Sequence, residues 1–122
     1  MNALLLVAHG SRRPQSNHEV LLLTQKLKNH CSQQYPIIHG AFLELADPTI
    51  PDGIQQCIAD GATTVVVLPY FLNSGSHVTQ DVPAIIETAQ STYPMIEIKL
   101  AQHLGASEMM IELLISSANQ AM

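Results

Sequence analysis

Three side chains stand out by type and by position: His9, Glu44 and His77. His9 closes the apolar run Ala3 to Ala8, Glu44 sits between Leu43 and Leu45 near the end of a second apolar segment, and His77 follows Asn73-Ser74-Gly75-Ser76. Two imidazoles and a carboxylate suit a first-row divalent metal, because imidazole nitrogen is a borderline donor and carboxylate a hard one. The same groups serve proton transfer, since histidine titrates near neutral pH. Glu44 is the most telling of the three. A carboxylate in an apolar segment has to be paired, hydrogen-bonded, protonated or metal-bound to offset its desolvation. His77 gains weight from its neighbours, because a glycine and small hydroxyl residues let backbone approach a ligand closely. His9 by itself reads more readily as a hydrogen-bonded structural histidine at a strand end than as a ligand.

Arg12 and Arg13 follow His9-Gly10-Ser11 and are two of the five basic residues in the chain, so positive charge is concentrated at one early loop. An anionic small molecule fits there, and so does a plain solvated pair. His18 and His30 fall in the first turn and near the end of a helix, which suits surface roles. His39 stays open, as does His103, which follows the fourth strand. Met109-Met110 reads as core or subunit-contact packing, since thioethers bind soft metals only with other soft partners.

Alternating strand and helix patterns position these groups. Ala3 to Ala8 is continuously apolar, as in a strand buried on both faces. Ser16-x-x-Glu19 has the form of a capping box, and Val20, Leu23, Leu27 and Cys31 follow at helical spacing, which predicts a helix to about Gln34. Ile37 to Leu45 is the second strand after the Tyr35-Pro36 break. Asp47 as cap and Pro48 as first helical residue predict a second helix to Asp60, turned off at Gly61. Thr63 to Leu68 is a β-branched third strand closed by Pro69 and followed by the loop Tyr70 to His77. Val78, Val82, Ile85, Ile86 and Ala89 mark a third helix, Met95 to Leu100 a fourth strand, and Ser107 to about Gln120 a last helix.

The expected architecture is therefore α/β: a single (βα)4 domain over residues 1–122, with a parallel four-stranded sheet and helices on both faces. Ligands of such sheets bind outside the carboxyl ends of the strands, which puts His9, Glu44 and His77 along one rim.

Composition narrows the function classes. Apolar residues make up 47% and charged residues 12% of the sequence, which is material for a core and leaves an apolar surface that another subunit can cover. A net charge of −5 offers no basic field for a phosphate backbone, so no nucleic-acid partner is expected. Cys31 and Cys57 belong to no Cys-x-x-Cys pair and read as packing residues. The N-terminal apolar run is too short for a signal-peptide core and no stretch reaches membrane-spanning length, so the expected location is cytoplasmic with no membrane partner.

Leu5-Leu6-Val7-Ala8-His9-Gly10-Ser11-Arg12, Phe42-Leu43-Glu44-Leu45-Ala46-Asp47-Pro48, and Leu68-Pro69-Tyr70-Phe71-Leu72 with Gly75-Ser76-His77-Val78 and Asp81-Val82-Pro83 resemble the short CbiX-type sirohydrochlorin chelatases over most of the chain. The family belongs to the class II chelatases, with protoporphyrin ferrochelatase and the longer cobalt chelatases as relatives. The resemblance implies ATP-independent insertion of a divalent metal into a sirohydrochlorin-type tetrapyrrole, with no organic cofactor and no accessory subunit. It matches the essential histidines to His9 and His77 and the acidic metal-site residue to Glu44. It also implies a homodimer, because the longer relatives hold two such halves facing one cleft.

Within that resemblance, Ser11, Arg12, Ser74 and Ser76 are expected to bind the peripheral carboxylates of the substrate through charge-assisted hydrogen bonds. Co2+ is the expected metal, in cobalamin or sirohaem biosynthesis, with Fe2+ and Ni2+ as alternatives. A non-catalytic metal or tetrapyrrole carrier with the same rim residues is a competing class, separated by turnover. A His-Gly phosphotransfer site ranks last, since no Walker-type loop or acidic magnesium cluster accompanies it.

Overall fold

The computed structural model describes residues 1–31 and 33–122, the side chains of His77 and Val78 apart. Asn2–Ala8 (β1) pairs in parallel with Ile37–Phe42 (β2) on one side and Thr64–Pro69 (β3) on the other, and β3 pairs in parallel with Glu97–Leu100 (β4). The order is β2-β1-β3-β4, so the path of the chain reverses between β1 and β3. β1 is hydrogen-bonded on both edges and covered on both faces, which is why Ala3 to Ala8 are apolar without alternation and all buried.

The helices are Pro14–Cys31 (α1), Ile50–Ala59 (α2), Val82–Thr92 (α3) and Met110–Asn119 (α4). Two glycines show how the first two divide between the faces. A Cβ on Gly40 would lie 3.0 Å from Thr24 Cγ2 of α1, whereas a Cβ on Gly53 of α2 would lie 2.9 Å from the Cβ of Ala41. Gly40 and Ala41 are adjacent in β2 and point to opposite faces, so α1 and α2 cover opposite sides. α3 joins α2: Val82, Ile86 and Ala89 share one core with Leu5, Val7, Ile54, Cys57, Val65 and Val67. Burial pushes the Cys57 thiol up to about 12, with the nearby Asp60 carboxylate adding to the effect, so Cys57 acts as an inert core residue.

Several boundaries differ from the sequence expectation. α1 begins at Pro14 and the Ser16/Glu19 capping box does not form its start, because proline already sets the backbone for a first helical turn. α2 is capped by Thr49, whose hydroxyl accepts from the Asp52 amide at 3.3 Å, with Pro51 in its first turn; Asp47-Pro48 stays outside the helix. A π-helical turn, His77–Asp81, precedes α3, and a 3-10 turn, Leu104–Ala106, precedes α4.

The larger surprise is α4, which buries no residue and whose main packing partner is that 3-10 turn. On the face that carries α1, Val66 and Leu68 of β3 are only half-buried, whereas Val65 and Val67 on the opposite face are sealed. Among the described residues, no helix is long and apolar enough to cross a membrane.

Candidate functional site

The reversal between β1 and β3 sends the loops after these strands to opposite faces and opens a crevice at their carboxyl ends. His9 leaves β1 at that point. Its Nε2 lies 2.7 Å from Glu44 Oε1, and both side chains remain about half exposed, at 44% and 51%.

Backbone contacts bring the two together. The β1–β2 ladder runs two residues past the end of β2: the Leu43 amide donates to the Ala8 carbonyl at 2.9 Å and the Glu44 amide to the His9 carbonyl at 3.0 Å. Gly10 then turns away with φ 97, and a Cβ there would sit 1.7 Å from the Glu44 carbonyl oxygen. Only glycine permits both that angle and that approach. Leu45 follows Glu44 with φ 67, the one described non-glycine residue in the left-handed region.

The loop after His9 is pinned by a residue the sequence patterns did not single out. The side-chain amide of Asn17, in the first turn of α1, accepts from the Ser11 amide at 2.9 Å and donates to the Ser11 carbonyl at 2.8 Å. The false capping box hid this role, since Ser16 and Glu19 carried the expected start of the helix. Ser11 Oγ in turn accepts from the Arg13 amide at 3.0 Å, and Arg13 reaches Gln15 at 2.9 Å, while Arg12 stays exposed at the rim.

Across β1, the loop after β3 is braced on two sides. The Tyr70 amide donates to the Val7 carbonyl at 2.7 Å, and the Phe71 carbonyl accepts from the Gly105 amide at 2.9 Å. A Cβ on Gly105 would fall 1.7 Å from the Leu72 carbonyl oxygen, so the loop after β4 lies directly against the loop after β3. Phe71 places its ring 6.4 Å from the His9 imidazole at a 59° tilt. Ser74 and Ser76 are exposed beyond it. The backbone of His77 opens the π-helical turn into α3, and its side chain, expected to be the third member of the set, lies outside the described residues.

The arrangement therefore brings His9 and Glu44 into contact and puts Ser11, Arg12, Ser74 and Ser76 on the loops around them. Among the described residues no group of three or more His, Cys, Asp or Glu side chains gathers to hold a metal. The contact holds one proton between Nε2 and the Glu44 carboxyl group. A cation at Nε2 must displace that proton, and the donor atoms are close enough to share one ion afterwards. The other histidines are elsewhere. His39 pairs with Asp60 at 2.6 Å near the amino-terminal edge of the sheet, the His30 ring bonds the Lys26 carbonyl, and His103 precedes the 3-10 turn as a partly buried residue.

A model of the CbiX family matches residues 3–121. The chain is 32% identical over 98% of its length to the sirohydrochlorin ferrochelatase of Priestia megaterium, covering 44% of that protein. It is 38% identical over 70% of its length to the sirohydrochlorin cobaltochelatase of Methanocaldococcus jannaschii, covering 59% of that protein. Among solved structures, the sirohydrochlorin chelatase SirB from Bacillus subtilis subspecies spizizenii in complex with cobalt superposes with a TM-score of 0.86 at 33% identity, over 98% of this chain and 50% of that one. The chain thus spans about half the length of these three relatives.

Proposed function

The chain belongs to the CbiX family, and on that premise we propose that it inserts a divalent metal into sirohydrochlorin without ATP. One observation carries the reading: an imidazole and a carboxylate in hydrogen-bond contact at the reversal point of a parallel sheet, both backbone-locked and both open to solvent. Metalation has to strip water from the ion, bring it to the ring from one face and remove two pyrrole protons. His9 and Glu44 receive the ion by giving up their shared proton. His77, from the far side of the same crevice, completes the ligand set or accepts a pyrrole proton. Arg12, with the hydroxyls of Ser11, Ser74 and Ser76, holds the carboxylates at the edge of the macrocycle.

Co2+ is the metal proposed, with Fe2+ and Ni2+ as alternatives. Its relatives bear both cobaltochelatase and ferrochelatase names, and imidazole with carboxylate does not discriminate among these ions. The proposed working unit is a cytoplasmic homodimer in which two rims enclose the two faces of the macrocycle, since a single rim leaves one face wet.

Anaerobic absorbance spectroscopy of sirohydrochlorin with each metal in turn is the test. Turnover above the uncatalysed rate is expected, with His9→Ala and Glu44→Gln lowering it by about 10²-fold or more. Stoichiometric binding without turnover would instead identify a carrier.

A further inference from the structure

We propose that Leu45 is a substrate-binding residue whose side chain offers apolar surface to the tetrapyrrole beside the His9–Glu44 pair. The inference rests on the chelatase reading above and adds a recognition residue to it.

The argument starts from the backbone. Leu45 has φ 67, a conformation in which the Cβ of an L-residue crowds the following carbonyl, and which glycine or asparagine occupies at far lower cost. A leucine held there has to be repaid by what its side chain does. Packing within the chain does not repay it, because Leu45 is 56% exposed although it directly follows a segment in which Phe42 is fully buried. The left-handed turn also has a geometric effect. The Glu44 amide is still bound to the His9 carbonyl, so the chain must leave the ladder within one residue, and the leucine stands at the edge of the site.

Leu45 has counterparts across β1. Tyr70 and Leu72, on the loop after β3, are 40% and 66% exposed. Both loops flank β1 on the same rim, and with neighbouring strands about 4.8 Å apart they stand roughly 10 Å from each other. Exposed apolar side chains on both sides of a metal-binding pair suit a flat, largely apolar ring with charged groups at its periphery, and Arg12 is placed for those charges. A small hydrated anion or a free metal ion would gain nothing from this leucine.

Two substitutions separate the side chain from the backbone. Leu45→Gly and Leu45→Asn both suit the left-handed angle and both remove the apolar group. Melting temperatures equal to or above the original are expected, together with about a tenfold weaker Kd for metal-free sirohydrochlorin by anaerobic absorbance titration. KM for sirohydrochlorin should rise with kcat nearly unchanged, and Leu45→Met should restore affinity. An unchanged Kd in both variants, while the original protein binds sirohydrochlorin and turns over, would overturn this inference and leave the chelatase reading intact. Weakened self-association in sedimentation with unchanged Kd would overturn it in favour of a subunit contact. Absence of any sirohydrochlorin binding by the original protein would overturn both.

Discussion

The carboxyl ends of β1 and β2 and the segment that follows β4 are both apolar in sequence, yet they end in opposite states. At the first, the strand ladder continues past β2, Gly10 lies against the Glu44 carbonyl, and Asn17 closes on Ser11 from both sides. At the second, α4 packs chiefly against a 3-10 turn. Met109, Ile111, Leu113, Leu114 and Ile115 are each more than half exposed. One end is rigid because it has to hold two polar groups in contact. The other leaves a run of apolar side chains exposed, and the same chain has a half-open sheet face at Val66 and Leu68. Tightly bonded polar groups and exposed apolar surface are thus divided between the β1–β2 side and the β4 side of the sheet.

The sharpest way to break this comparison is at Gly10. Alanine there meets both an unfavourable backbone angle and the Glu44 carbonyl, and should cost about 3 kcal/mol or more of stability while separating His9 from Glu44. Denaturant unfolding measures the first effect and metal titration the second. A stable, metal-competent variant would show that this end is not held as described.

A charge on α4 tests the opposite end. Leu113→Glu and Ile115→Glu should leave the melting of the monomer within about 0.5 kcal/mol of the original, because these side chains are exposed. The same changes should weaken self-association by about tenfold or more in sedimentation. A large loss of monomer stability would instead place α4 against its own sheet in solution.

Asn17→Ala probes the clamp on the His9 loop. Loss of two hydrogen bonds to the Ser11 backbone should cost about 1–2 kcal/mol and slow metal insertion more than it weakens sirohydrochlorin binding. Equal losses in rate and binding would mark Asn17 as part of the substrate surface.

The smallest effect expected concerns the cysteines. With its thiol pushed up to about 12, Cys57 should stay unmodified by iodoacetamide near pH 8 while partly exposed Cys31 reacts, as read by mass spectrometry. The sign for stability follows from the same shift. The folded state favours the neutral thiol, so its contribution is full below the ordinary cysteine range and fades as pH rises from about 9 towards 12.

Much of the fold is legible in local pattern. Ala3 to Ala8 could only be a strand buried on both faces, and the β-branched run from Thr63 announced another, because strand periodicity and burial are properties of neighbouring residues. The starts of α1 and α2 depart from the local pattern. Ser16/Glu19 and Asp47-Pro48 are both sound capping patterns, but Pro14 and the Thr49–Pro51 pair offered better ones, and the choice between competing caps depends on where the preceding loop arrives. Glu44 was visible because a carboxylate among leucines demands a partner, and His9 because it ends an apolar strand.

The amino-acid sequence alone therefore determined the order of elements, the parallel sheet and the identities of the two groups that now touch. Their separation, 35 residues along the chain and 2.7 Å in space, was decided by the tertiary structure. The roles of Asn17, Leu45 and Gly105 came from the same level. A reciprocal clamp, a strained exposed leucine and a loop-to-loop approach are relations between segments, and no periodicity within one segment encodes them. The exposure of α4 is of the same kind: its apolar residues promised burial, but only packing could reveal that its own sheet does not provide it.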